Sequence, residues 1–309
     1  MDRSDLVRRA LNGERRAVAR LISVVEDGGE DLGAVMQELY PHTGNAYSIG
    51  ITGAPGAGKS SLTDRLVARA RRDDLKVGVL AVDPSSPFSG GALLGDRVRM
   101  QNHATDPGVF IRSMASRGHL GGLALAAPEA VRVLDAAGND LVLIETVGVG
   151  QAEVEITDAC DTTVVVLNPG WGDAVQAAKA GLMEIADVYV VNKADRAGAK
   201  ETVREVKAML QMSDADWKPE IVETVAVKDL GTDELWDAIG RHRSRQDEDG
   251  SLAARRRRRI NHELRQIVAE RFRQRVAVEA GALLEELTDE VSARRIDPYT
   301  AADKLVASI

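Results

Sequence analysis

Eight consecutive residues, Gly53-Ala54-Pro55-Gly56-Ala57-Gly58-Lys59-Ser60, have the composition and spacing of a phosphate cradle. Glycines allow successive backbone N–H groups to curl around phosphate oxygens without a Cβ in the way. An apolar run at 47–52 reads as a strand entering the loop. The stretch 61–67 reads as a helix leaving it, whose N-terminus adds partial positive charge. Gly53 through Ser60, with Ser61 behind them, are the expected nucleotide-binding residues. Lys59 would neutralise the β- and γ-phosphates, and the Ser60 hydroxyl would ligate Mg²⁺. A plain glycine-rich turn is the alternative, but the strand before and the helix after fit the cradle.

A second pattern selects the base. Asn192-Lys193-Ala194-Asp195 ends the apolar run 188–191, which reads as a buried parallel strand. The Asp195 carboxylate can accept from the N1–H and exocyclic amine of guanine together. Adenine offers no such donor pair, so an Asp here favours GTP over ATP. Asn192 and the Lys193 stem would frame the base. Further on, Val225-Ala226-Val227-Lys228 occupies the place for a backbone N–H to guanine O6, with Ala226 the candidate. A third pattern, Leu141-Val142-Leu143-Ile144-Glu145-Thr146-Val147-Gly148, runs four apolar residues into an acid. Glu145 would hold Mg²⁺ through water, and the Gly148 N–H would meet the γ-phosphate. Most small GTPases have Asp where this chain has Glu145.

These motifs need a scaffold. The 309 residues are 44% hydrophobic, enough for an α/β core with appendages. Strand candidates at 48–51, 77–82, 109–112, 141–144, 163–167, 188–191 and 221–225 alternate with helical stretches at 60–72, 123–137, 174–185, 202–211 and 233–242. That alternation predicts a mainly parallel sheet covered by helices on both faces, with nucleotide at the carboxyl ends of its strands. Residues 1–45 have helical apolar spacing and read as an N-terminal extension of two or three short helices. Residues 46–245 form the GTPase domain. A polar stretch at 246–250 reads as a linker, opening a helical C-terminal region, 246–309. Its stripe Ile260, Leu264, Ile267, Val268, Phe272 and Val276 lacks a partner within the domain and suggests association.

Net charge is −8, so no global attraction to nucleic acid or an anionic membrane is expected. The arginine run 255–259 reads mainly as a solvated helical face, since consecutive helical residues point all round. Contact with an acidic partner is the second reading. The single cysteine, Cys160, excludes an internal disulfide and suits a reducing, cytoplasmic setting. The first residues carry acids and no apolar core, unlike a signal peptide, and no run reaches transmembrane length.

Four further segments carry a resemblance. They are Glu145 to Gln151 (ETVGVGQ), Val82 to Pro87 (VDPSSP), Gly91 to Arg97 (GALLGDR) and Met114 to Gly122 (MASRGHLGG). Together they resemble the methylmalonyl-CoA mutase-associated GTPases, the MeaB/ArgK family, over nearly the whole chain. The resemblance implies a GTP-hydrolysing chaperone that gates loading or protection of adenosylcobalamin in a partner acyl-CoA mutase. It implies a homodimer built by the C-terminal region, with the cobalamin held by the partner. It also implies a magnesium role for Asp96, for which an N-cap of the helix 97–104 is the alternative. The segment from Asn168 to Lys179 would pass nucleotide state to the mutase; otherwise Lys179 is a solvated helix lysine.

The remaining switch residues are read from position. Asp83, at the end of the second strand, could position the attacking water or reach Mg²⁺ through water. Gln151 could orient water or lie in a surface loop. Arg117 could meet phosphate or partner, and His119 reads as a loop histidine. Lys59, Asp83, Glu145 and Gln151 are the expected catalytic set; Ser60, Asp83, Asp96 and Glu145 are the expected metal set. The rival functions are a metallochaperone-type GTPase for another metalloenzyme, a transport-linked kinase or ATPase, a protein-targeting GTPase and a non-enzymatic scaffold. Nickel-insertion GTPases display Cys or His ligands, whereas His42, His103, His119, His242 and His262 are scattered. A targeting GTPase would need a methionine-rich groove, and the seven methionines are dispersed.

Overall fold

The computed structural model describes residues 2–28, 31–84, 101–103, 105–116, 122–146, 156, 159–170, 185–212 and 217–308. Helices α1 (Arg3–Leu11), α2 (Arg15–Asp27) and α3 (Asp31–Leu39) come first, closed by a 3₁₀ turn at Tyr40–His42. Then follow β1 (Tyr47–Gly53), α4 (Lys59–Arg72), β2 (Val77–Pro84), β3 (Val109–Ser116), α5 (Gly122–Ala136), β4 (Leu141–Thr146), β5 (Thr162–Leu167), β6 (Val188–Asn192), α6 (Ala199–Gln211), β7 (Glu220–Thr224) and α7 (Thr232–Asp249). Helices α8 (Ser251–Glu279), α9 (Gly281–Ser292) and α10 (Pro298–Ala307) complete the chain.

All seven expected strands form and pair in parallel, in the order β3-β2-β4-β1-β5-β6-β7. Strands β1, β4, β5 and β6 are buried at every residue, which is why their sequences run apolar rather than alternating. Alternate residues feed two cores. Ile49, Ile51, Leu141, Leu143, Val164 and Val166 meet Leu62 and Leu66 of α4 and Leu235 and Ile239 of α7. Val142 and Ile144 face the other way, with Leu21 and Ile22 of α2 and Val133 and Leu134 of α5. The N-terminal helices are thus part of the sheet's cover. Arg112 of β3 donates to Glu26 at 2.7 Å and to Ser23 at 2.9 Å, fastening α2 to the edge strand.

The chain divides into two compact units, Met1–Arg256 and Arg257–Ile309. The polar stretch 246–250 is not a linker. Helix α7 continues through Asp249, and only Gly250, at φ +72°, breaks it before α8. Acidic side chains here face solvent on a helix, and Gln246 is buried. The arginine run also departs from expectation. Arg255 binds Asp187, and Arg256 binds Asp161 and the carbonyls of Gly44 and Ala46, so the first two of the five are paired within the first unit. In the second unit, Ile260, Leu264, Val268 and Phe272 of α8 are exposed. No helix among the described residues is long and apolar enough to cross a membrane.

Candidate functional site

The phosphate loop leaves the carboxyl end of β1, the central position of the sheet. Gly53 sits at φ +129°, and a Cβ there would collide with the Val166 carbonyl of β5. Gly58, at φ +94°, leaves no room for a Cβ beside the Asn192 amide. The loop closes with the Ala57 N–H donating to the Ala54 carbonyl at 3.1 Å. Lys59 opens α4, and its ammonium folds back to donate to the Gly53 carbonyl at 2.6 Å and the Ala54 carbonyl at 3.1 Å. The loop's cation therefore already lies across the backbone that would surround a phosphate.

Register brings Glu145 to the same edge, level with Ile51 of β1 and Ala81 of β2. The Ser60 hydroxyl donates to Glu145 Oε1 at 2.6 Å, and both residues are buried. A buried hydroxyl and carboxylate are hard oxygen donors of the kind Mg²⁺ prefers, so the pair fits that ion. Beside them Thr146 donates to Thr52 at 3.0 Å. The backbone of Asp83 continues β2 past the level of Thr146, at the same carboxyl edge.

The N-K-x-D motif begins at the last residue of β6. Asn192 is buried and joins three segments. Its Nδ2 donates to the Ala57 carbonyl at 2.8 Å, and its Oδ1 accepts from the Thr224 hydroxyl and the Ala226 N–H, each at 3.1 Å. Lys193, at φ +59°, donates to the Gly56 carbonyl at 2.6 Å. Asp195 is exposed and accepts from Lys228 at 2.8 Å; that hydrogen bond holds its carboxyl below the ordinary value. Arg65 of α4 donates to the Ala226 carbonyl at 3.0 Å. The loop, the β6 end and the turn after β7 are thus one hydrogen-bonded cluster.

The expected residues Gly53 to Ser61, Glu145, Asn192, Lys193, Asp195 and Ala226 lie together at this edge. Asn168 ends β5, where its Nδ2 reaches the Pro169 carbonyl at 3.4 Å. The side chain of Asp83, and all of Asp96, Arg117, His119, Gly148, Gln151 and Lys179, lie outside the described residues. For Ala226 the geometry brings a complication. Its N–H is already engaged by the Asn192 side chain, whereas Val227, one residue on, is exposed. Lys228 and Arg65 are site residues that motif spacing does not reveal, since nothing in the sequence pairs them with Asp195 or Ala226.

At the opposite end of the strands lies a second polar cluster. Asp187 accepts from the Thr163 N–H and from Arg255, each at 2.7 Å, and lies 3.4 Å from His242 Nε2. Burial pushes the Asp187 carboxyl up, but the His242 hydrogen bond and the Arg255 charge together bring it below its usual value. Thr162 links His242 to Tyr47 at 2.8 and 2.6 Å, and Tyr47 donates to Gln246 at 2.9 Å. This cluster fastens α7 and the start of α8 to the sheet.

Comparison with known proteins agrees with this geometry. A Pyrococcus abyssi protein provisionally named as a GTPase is 51% identical over 312 residues, covering 99% of this chain and 96% of that one. The Escherichia coli GTPase ArgK is 39% identical over 246 residues, covering 76% of this chain and 74% of its own. Among solved structures, a LAO/AO transport system kinase superposes with a TM-score of 0.74 at 28% identity, covering 99% of this chain and 96% of that one. The family model for the methylmalonyl-CoA mutase-associated GTPase MeaB matches residues 18–281. With its phosphate loop, its buried Ser60–Glu145 pair and its N-K-x-D cluster on one sheet edge, this chain is a GTPase and belongs to the MeaB family.

Proposed function

We propose that the chain hydrolyses Mg²⁺-bound GTP to time the loading or protection of adenosylcobalamin in a partner methylmalonyl-CoA mutase-type enzyme. The observation that carries the nucleotide half of this reading is the Asn192 bridge, which ties the phosphate loop to the base-selecting turn. The mutase half is supported by the family's described association.

The site's own residues supply binding and position, which is most of what phosphoryl transfer to water requires. Backbone N–H groups of 53–61 would surround the phosphates. Lys59 would exchange the carbonyls of Gly53 and Ala54 for phosphate oxygens. Ser60 and Glu145 would hold Mg²⁺, with Asp83 and Asp96 as further members; the ion's charge would offset that of the phosphates. Gln151 or Asp83 would orient the attacking water, and Gly148 would meet the γ-phosphate. Asp195 would accept from the guanine edge, and the Val227 N–H is a better-placed O6 donor than that of Ala226.

Functionally, 1–45 would be the helical extension, 46–245 the GTPase domain and 246–309 the dimerisation region. The exposed Ile260, Leu264, Val268 and Phe272 repeat every four residues, a single helical stripe suited to a second copy of the chain. Segment 168–179 would couple nucleotide state to the mutase, since only an element that differs between GTP and GDP states can do so.

The test is cobalamin transfer. Apo-mutase is mixed with adenosylcobalamin and this chain carrying GTP, GDP or a non-hydrolysable GTP analogue, and loading is followed by absorbance. The reading predicts loading that depends on which nucleotide is bound. Identical loading in all three, and without the chain, would overturn it.

A further inference from the structure

Helix α6 begins at Ala199, after a short turn that follows the N-K-x-D motif and holds Arg196. Arg196, Lys200 and Arg204 follow Asp195 at four-residue spacing, with Lys207 one turn on, and all four are exposed. Among the described residues none of the four forms a salt bridge or side-chain hydrogen bond, whether with Glu201 and Glu205 of the same helix or with any other residue; the charge of Arg196 does act on neighbouring Asp195. Several other surface arginines of the first unit are engaged. Arg69 meets Asp73 and Asp233, Arg71 meets Asp106, and Arg241 meets Glu220. Like charges four residues apart on a helix oppose its formation. An anionic surface facing Lys200, Arg204 and Lys207 would relieve that local repulsion.

Shape supports the same idea. Arg196, Lys200 and Arg204, with Glu201 beside them, line a concavity of about 410 Å³ together with small residues such as Ala194 and Gly198. Small lining residues let a partner's short side chains approach the backbone. The ridge carries no aromatic residue on which bases would stack, and no large apolar residue to enter a bilayer. A carboxylate-rich protein face fits better than nucleic acid or lipid.

Position gives the ridge a consequence. Gly198, the N-cap of α6 at φ +90°, lies against Pro169 and Gly170, the exit of β5. Asn168, at that exit, has a buried Oδ1 with no hydrogen-bond partner among the described residues. A partner held at the start of α6 would therefore sit beside the residues that lead into the proposed coupling segment, and beside Asp195 three residues away.

We propose that Arg196, Lys200, Arg204 and Lys207 form the docking surface for an acidic face of the partner mutase. This rests on the mutase reading above and adds where and by what chemistry the partner is held. The experiment titrates the organism's own adenosylcobalamin-dependent acyl-CoA mutase against labelled full-length chain. The variants are the parent, K200Q/R204Q and K200E/R204E, with folding checked by circular dichroism. The proposal predicts about tenfold weaker binding for the reversal and an intermediate loss for the neutral pair. Parent affinity should fall between about 50 and 200 mM salt, and basal GTP hydrolysis should stay unchanged in all three. Equal mutase affinity for parent and reversal overturns the docking surface while leaving the mutase reading intact. Retention of heparin or anionic vesicles that the reversal abolishes, with mutase binding unchanged, also overturns it. A parent chain that does not bind the mutase overturns both.

Discussion

Asn192 and Ala57 lie 135 residues apart in the chain, yet the Asn192 side-chain amide donates to the Ala57 carbonyl at 2.8 Å. Through this bond the strand proposed to select the base also fixes the loop proposed to hold the phosphates. Asn192→Ala should leave the Ala226 N–H and Thr224 hydroxyl without their acceptor, at about 1–3 kcal/mol. GTP affinity should fall by about tenfold or more, measured by titration of a fluorescent GTP analogue. Unchanged affinity would mean that the bond is incidental.

Gly58→Ala attacks the same junction from the loop side. Its φ of +94° and the adjacent Asn192 amide make any Cβ unfavourable, at about 1–3 kcal/mol for the backbone alone. Triphosphate binding should be lost before global folding is, so circular dichroism should stay native while GTP titration flattens.

Asp195→Asn replaces an acceptor with a donor facing guanine's own donors. GTP affinity should drop sharply, and xanthosine triphosphate, which presents an oxygen there, should gain. Binding of GTP at the parent level would refute the base assignment.

Asp187 and Arg255 give a prediction about pH. The Asp187 carboxyl sits below its usual value in the folded chain, so its stabilising contribution is present above about pH 4. That contribution is lost as pH falls through the folded value. Asp187→Asn strands the Arg255 charge and should cost about 3 kcal/mol at neutral pH. The variant's melting temperature should then depend less on pH below about pH 4 than the parent's does. Parallel melting curves across that range would show that Asp187 is not the responsible group.

The fold was legible because strand runs such as 141–144 and 188–191 are buried on both faces, and burial on both faces leaves an apolar run in the sequence. The phosphate loop was legible for a different reason: wrapping a phosphate demands fixed local spacing. What joins distant residues was not. The Lys228 contact with Asp195 and the Arg255 contact with Asp187 depend on the topology of β6, β7 and α8. Arginine's charge alone suggests solvent, and only the carboxylates at the strand starts reveal why Arg255 and Arg256 dock. The acidic residues at 246–250 likewise suggest a linker, because a solvated helix and a linker share that composition.

Coupling is tested at Lys179. Lys179→Ala should keep basal GTP hydrolysis near the parent rate and lower the mutase's stimulation of it. Both rates should be taken on one preparation. Equal loss of both would make Lys179 part of the basal machinery, and no loss of either would return it to a solvated lysine.

The most direct measurement is the rate of GTP hydrolysis by the purified chain with and without the mutase, at fixed Mg²⁺, with Lys59→Ala as the control for contaminating activity. The account predicts hydrolysis that Lys59→Ala abolishes and that added mutase changes severalfold. A rate that Lys59→Ala leaves intact, or one indifferent to saturating mutase, would contradict it.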